Sequence, residues 1–139
     1  MTNYVLGTVA ILAGVTFAPP AEVEKQGQTS ATKLQHAIAG PLTALNGKYD
    51  IRASEVRYAP GGFIGEHLHA GPGIRCLTSG ELTYIQPDKT TVYKAGDCFF
   101  ESGEQSHRAE NRGTEPVVLL NFEVLPAGWS GATAIPVPK

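Results

Sequence analysis

The sequence predicts an all-β fold, a barrel or sandwich of short antiparallel strands. Three observations lead there. Sixteen Gly and ten Pro in 139 residues supply far more turns than long helices would tolerate. From residue 46 onward, runs of four to eight residues alternate with turn signals every eight to twelve. Residues 117–124 (VVLLNFEV) then place Val118, Leu120, Phe122 and Val124 on one face, the period of a strand. A chain of this length suits one domain and buries enough core to stand without disulfide staples.

Each element follows from local chemistry. Residues 5–18 (VLGTVAILAGVTFA) are uncharged and largely apolar. They are too few for a spanning helix, which needs ~20 apolar residues. With small residues near Ala18 and Ala21, residues 1–21 read as a signal peptide, which directs the chain to a secreted or periplasmic location. The alternative is a β-branched N-terminal strand of a cytoplasmic protein, padding the barrel or a dimer contact. Residues 22–41 read as a linker: the polar part has no periodicity, and a short helical turn beginning near Leu34 would be ended by Gly40-Pro41. The barrel is expected over residues 42–126. Asn46-Gly47 is a hairpin signal. Residues 51–58 form a strand stopped by Pro60-Gly61-Gly62, and residues 63–69 form the next. Turns at 70–73, 79–80, 87–89, 95–97 and 102–105 delimit strands at 74–78, 82–86, 91–93 and 98–101, before His107 starts another. Residues 127–139, rich in Gly and Pro, make a surface strap whose Trp129 clamps the barrel end or a partner subunit.

Charge narrows the partners. Eleven basic and thirteen acidic residues are well mixed, with no basic stripe, which argues against nucleic acid. No stable membrane insertion of the mature chain is expected. Cys76 and Cys98 allow one disulfide or two free thiols, and small core fillers are favoured over ligands.

The chemistry concentrates in histidines. On a strand, alternate side chains share a face, so His67 and His69 point the same way. Two adjacent imidazoles make a chelate for a divalent transition metal. His107 follows a glycine turn at a strand start, where an antiparallel neighbour can deliver it to the same point. His36 lies outside these stretches and reads as an exposed histidine.

The spacing around these residues resembles the cupin superfamily, in its small single-domain form. The first family motif, G-x5-H-x-H-x3-E-x6-G, is matched in register by Gly61, His67, His69 and Gly80. The second, G-x5-P-x-G-x2-H-x3-N, is matched by Gly96, His107 and Asn111. The resemblance implies a double-stranded β-helix, or jelly-roll, barrel and one metal held by His67, His69 and His107. Iron is the first choice, with zinc, nickel, manganese or copper as alternatives. It also implies a homodimer.

The departures bear on function. Gly73 stands where the family has its carboxylate ligand, Ser102 where it has proline, and Glu104 where it has glycine, with Gly103 one place early. A one-residue slip of that loop would keep the turn. A site of three histidines without the carboxylate resembles the three-histidine iron cupins, which bind a small organic substrate and O₂ at one centre. It also suits zinc with a bound water in an isomerase or hydrolase. The alternative is a non-catalytic module that binds a metal or a small ligand. Glu66 should face away from His67, and Glu101 or Glu104 could fill the gap only through loop geometry. Arg75 shares the face of His69 unless a bulge at Gly71-Pro72-Gly73 turns it outward, which those glycines favour. If it points inward, it would hold a substrate carboxylate. Tyr84 and Gln86 are candidates for lining the same pocket.

Overall fold

One long strand, β2 (Tyr49–His69), links the two halves of the molecule. The computed structural model describes residues 21–138, so the expected signal peptide lies outside the described residues. β2 is preceded by β1 (Lys25–Ala37). After it come β3 (Gly73–Ser79), β4 (Glu81–Gln86), β5 (Lys89–Lys94), β6 (Cys98–Glu101), β7 (His107–Glu110), β8 (Val117–Pro126) and β9 (Ala134–Pro136). No helix among the described residues is long and apolar enough to cross a membrane.

The strands pair in the order β5-β4-β7-β2-β8-β3-β6, with β1 and β9 also on β2. The first half of β2 runs antiparallel to β8, from Tyr49↔Pro126 to Tyr58↔Val117. Its second half pairs with β7 through Phe63↔Glu110 and His67↔His107, and with β9 through His67↔Pro136 and His69↔Ala134. The Pro60-Gly61-Gly62 segment therefore carries the strand from its pairing with β8 to its pairing with β7 instead of ending it. The ladder to β1 continues past this segment, pairing Gln28 with Tyr58 and Lys25 with Ile64. The result is a nearly closed antiparallel jelly-roll barrel, the fold class expected from the sequence.

Two expectations are corrected. The supposed linker is mostly strand β1, and no helical turn follows Leu34. β1 is exposed on both faces and ordered by its backbone ladder to β2, so it carries no apolar period. The Asn46-Gly47 turn does close the β1–β2 hairpin, with Ile38 N–H donating to Tyr49 O at 2.8 Å and Gly47 N–H to Ile38 O at 3.1 Å. In β8 the expected alternation holds, and the inward row is Val117, Leu119, Asn121, Glu123 and Leu125. Finally, Cys76 and Cys98 do not fill the core; they face each other across β3 and β6 on the outer surface and form a disulfide.

The apolar core comprises Val56, Tyr58, Ile64, Leu77, Leu82, Ala109, Val117 and Leu119. Each large side chain buried there contributes roughly 1.5–3 kcal/mol. The opposite end of the interior is polar, and the histidines lie at that end.

Candidate metal centre

His67 and His69 close β2, and His107 opens β7 directly opposite His67. Alternation along β2 and that register bring the three rings together. Centroids are 4.9 Å apart for His67–His69, 4.3 Å for His67–His107 and 5.2 Å for His69–His107. One ring nitrogen from each lies within 4.8 Å of the others, a group able to hold a metal ion.

Each ring is fixed from behind. Nδ1–H of His67 donates to Gly65 O at 2.8 Å, and Nδ1–H of His107 to Gln105 O at 3.1 Å. A carbonyl only accepts, so both neutral rings carry their proton on Nδ1 and offer the Nε2 lone pair. Nδ1 of His69 lies 3.2 Å from Arg75 Nη2 and 3.3 Å from Glu123 Oε1. Backing of this kind is what orients metal-binding imidazoles. Burial, followed by the neighbouring His107 and His69, pulls the His67 pKa down to about 3, so the ring is neutral.

Glu101, expected to reach the site only through loop geometry, reaches it from strand β6, and Glu123 was not foreseen as a site residue. Glu101 Oε1 lies 3.1 Å from His107 Nε2, and its Oε2 lies 3.1 Å from His69 Nε2. Arg75 lies between the two carboxylates, with Nε 2.7 Å from Glu101 Oε2 and Nη2 donating to Glu123 Oε1 at 2.9 Å. The first contact is close but poorly directed, since Glu101 Oε2 counts among the buried atoms without a hydrogen-bond partner, as does Arg75 Nη1. Burial by itself would raise the Glu101 carboxyl pKa; the adjacent His107 ring and the Arg75 charge outweigh it and hold it far below the usual range. Glu123 is lowered in the same way, burial being outweighed by His69 and Arg75.

Arg75 is thus inside the barrel and only 2 % exposed. The bulge that would have turned it outward is absent: Gly73, Ile74, Arg75 and Cys76 pair in unbroken register with β6 and β8. Its charge is met by the chain's own carboxylates. Gly73 makes this possible, because a Cβ there would stand 2.3 Å from Arg75 Nη1 and 2.6 Å from Phe122 O. The loop slip expected before His107 is also present. Gly103, at φ 91°, makes the turn and accepts a 3.1 Å hydrogen bond from His69 N–H.

Tyr84 lines the cavity, stacked 4.6 Å from His107, and burial followed by the Glu101 charge raises its phenol well above the ordinary value. Gln86 does not line it; its amide donates to Gln105 Oε1 at 2.8 Å in a neighbouring groove. Glu66 points away and accepts from Ser106 Oγ, while Glu104 and His36 are exposed. Asn111 is structural, donating to Tyr58 O, Ala59 O and Glu115 O. The cavity beside the histidines measures about 40 Å³, with Tyr58, Tyr84, Phe99, Asn121 and Ala134 among its walls. That is room for a metal ion and roughly two or three water-sized groups.

Comparison with known proteins agrees with this geometry. A family model described as a cupin domain matches residues 54–123. An oxalate-binding protein of Thermotoga maritima is 28% identical over 121 residues, covering 86% of this chain and 97% of its own. A double-stranded β-helix protein of Klebsiella pneumoniae superposes with a TM-score of 0.55 at 25% identity, over 77% of this chain and 84% of that one. A cupin domain of Bordetella pertussis gives 0.54 at 17% identity, over 73% and 96%.

Proposed function

The chain belongs to the cupin family, and on that premise we propose that His67, His69 and His107 bind one divalent transition metal and that a small oxyanion, of the size and charge of oxalate, is its ligand. The observation that carries the reading is the set of three clustered imidazoles, each with Nδ1 occupied from behind. A metal bound there would supply the positive charge that holds a ligand's oxygens. The chain does the rest. Tyr58, Tyr84, Phe99 and Leu82 shape a narrow, largely apolar recess that restricts ligand size and excludes bulk water. Arg75 offsets the charge of the two buried carboxylates. The oxalate-binding relative supports the ligand class at low identity, and the small cavity supports a small ligand.

The test is metal content by mass spectrometry on anaerobically purified protein, followed by calorimetric titration with oxalate. Near-stoichiometric metal in the wild type, absent from His107→Ala with the fold retained, is expected. A His107→Ala protein with full metal would refute the site.

A second reading, an iron dioxygenase-like enzyme, is favoured by the three clustered imidazoles, which leave positions for both a substrate and O₂. Oxygen uptake by the iron-loaded protein separates it from a binding module. Two further parts of the proposal concern assembly and location. The outer face exposes Ile51, Ile74, Phe100 and Phe122 across neighbouring strands, which supports a homodimer. The Cys76–Cys98 disulfide supports an oxidising, extracytoplasmic compartment.

A further inference from the structure

The family's carboxylate position is Gly73, yet a carboxylate still reaches the histidines. We infer that Glu101, from the neighbouring strand β6, is the fourth metal donor of this site. The inference rests on the three-histidine reading and adds a residue to it.

Three observations carry it. The first is register: Gly73 pairs with Glu101 on one side and with Glu123 on the other. Directly opposed residues in a sheet project from the same face. A carboxylate lost from β3 is therefore replaced, on the same side of the sheet, by the one opposite it on β6. The second is the donor set. His107 spends its Nδ1 proton on Gln105 O, so in the neutral ring its Nε2 lone pair faces Glu101 Oε1 at 3.1 Å, acceptor against acceptor. The other oxygen, Oε2, is buried without a hydrogen-bond partner. One cation between the carboxylate and the imidazoles satisfies all of these atoms. The third is charge. Arg75 meets both carboxylates with a single positive charge, which leaves one negative charge uncompensated beside the three rings. A divalent ion on imidazoles alone would keep both its charges in a buried site; Glu101 removes one.

Gly73 and Arg75 act as positioning residues. The absent Cβ of Gly73 admits the guanidinium, whose Nε lies 2.7 Å from Glu101 Oε2 and aims the carboxylate at His69 and His107.

The test uses the full chain stripped of metal and titrated with Co²⁺, read by calorimetry and by visible absorption, whose intensity reports coordination. Glu101→Gln should bind Co²⁺ at least about tenfold more weakly and with an altered spectrum. Glu123→Gln removes an equally buried carboxylate from behind His69 and from the same guanidinium; it should weaken binding by loosening that ring and keep the wild-type spectrum, because the donor atoms are unchanged. A Glu101→Gln protein that keeps the wild-type spectrum would mean that Glu101 acts through charge or positioning alone and would overturn the inference, as would an unchanged affinity. Should Glu101→Gln fail to fold, a crystal structure of the Co²⁺-loaded wild type decides: Glu101 bonded to cobalt supports the inference, and a water in its place overturns it. Failure of the three-histidine reading looks different. In that case the wild type itself binds no Co²⁺, and the Glu101 assignment falls with it.

Discussion

Two arginines are buried in this barrel, and their surroundings differ in kind. Arg52, on the first half of β2, donates Nε to Gln35 Oε1 at 2.8 Å, Nη1 to Gly131 O at 2.9 Å and Nη2 to Trp129 O at 2.7 Å. Gln35 in turn donates to Asp50 Oδ2, which also accepts from Gly128 N–H. Each nitrogen of Arg52 has an acceptor, and the network clasps the C-terminal strap to the barrel. Arg75 has two carboxylates, a shared imidazole, one misdirected contact and an Nη1 with no partner. A satisfied network rigidifies a fold; a partly satisfied one keeps electrostatic capacity for something else. Burial alone does not separate the two residues, at 5% and 2% exposed. What separates them is the nature of their partners.

The comparison breaks most visibly on removal of the charges. Arg75→Met leaves Glu101 and Glu123 buried without a cation and should cost about 3–5 kcal/mol at neutral pH. Arg52→Met loses hydrogen bonds to uncharged acceptors and should cost about 1–3 kcal/mol. Urea denaturation of the metal-free proteins measures both, and equal costs would erase the distinction.

A smaller effect sharpens it. In the wild type the two depressed carboxyls contribute stability that is complete above the ordinary value of 4.5 and is lost only as pH falls through their lowered values. Without the guanidinium, burial raises those carboxyls, so the variant regains stability as pH falls from 7 toward 4.5. The gap between wild type and Arg75→Met should therefore shrink on acidification. The gap for Arg52→Met should stay flat, since Gln35 and the two carbonyls do not titrate. His67 acts in the same direction in all three proteins. Its folded pKa of about 3 lies below the ordinary value of 6.5, so acid removes stability from pH 6.5 downward. A gap for Arg75→Met that is constant with pH would contradict the account of its carboxylates.

The smallest effect is expected at Trp129. Arg52 holds its backbone carbonyl, which survives substitution, and the indole makes one hydrogen bond, to Ala132 O at 3.2 Å. Trp129→Ala should cost about 1 kcal/mol, leave metal content unchanged and reveal any role in assembly as a shift in elution volume.

Much of this was legible in the sequence. The two motifs fixed His67, His69 and His107 by spacing, and turn residues marked most strand limits. Strand β1 was invisible, because an edge strand exposed on both faces leaves no apolar period. In β8 both alternating rows are apolar at the start, so the pattern gave the period but not the side. Asn121 and Glu123 interrupting one row were the available signal that this row lines a polar site. Glu101 could not be found from spacing at all. It matters because it lies across from Gly73, and that relation exists only once β3 and β6 are in register. Arg75 misled for a related reason: glycines that suggest a bulge are equally what a guanidinium needs in order to pack flat against a strand.

The disulfide has a consequence for motion. β6 is a four-residue strand at the end of the sheet order, bonded to β3 alone, and Cys98 is its first residue while Glu101 is its last. The staple pins one end and leaves the other held by backbone hydrogen bonds and whatever Glu101 grips. Fraying of β6 therefore starts at the carboxylate and pivots about Cys98, like a gate hung on its cysteine post. Such local opening costs less than global unfolding, so it offers a route by which an ion could be exchanged with solvent while the rest of the barrel stays shut.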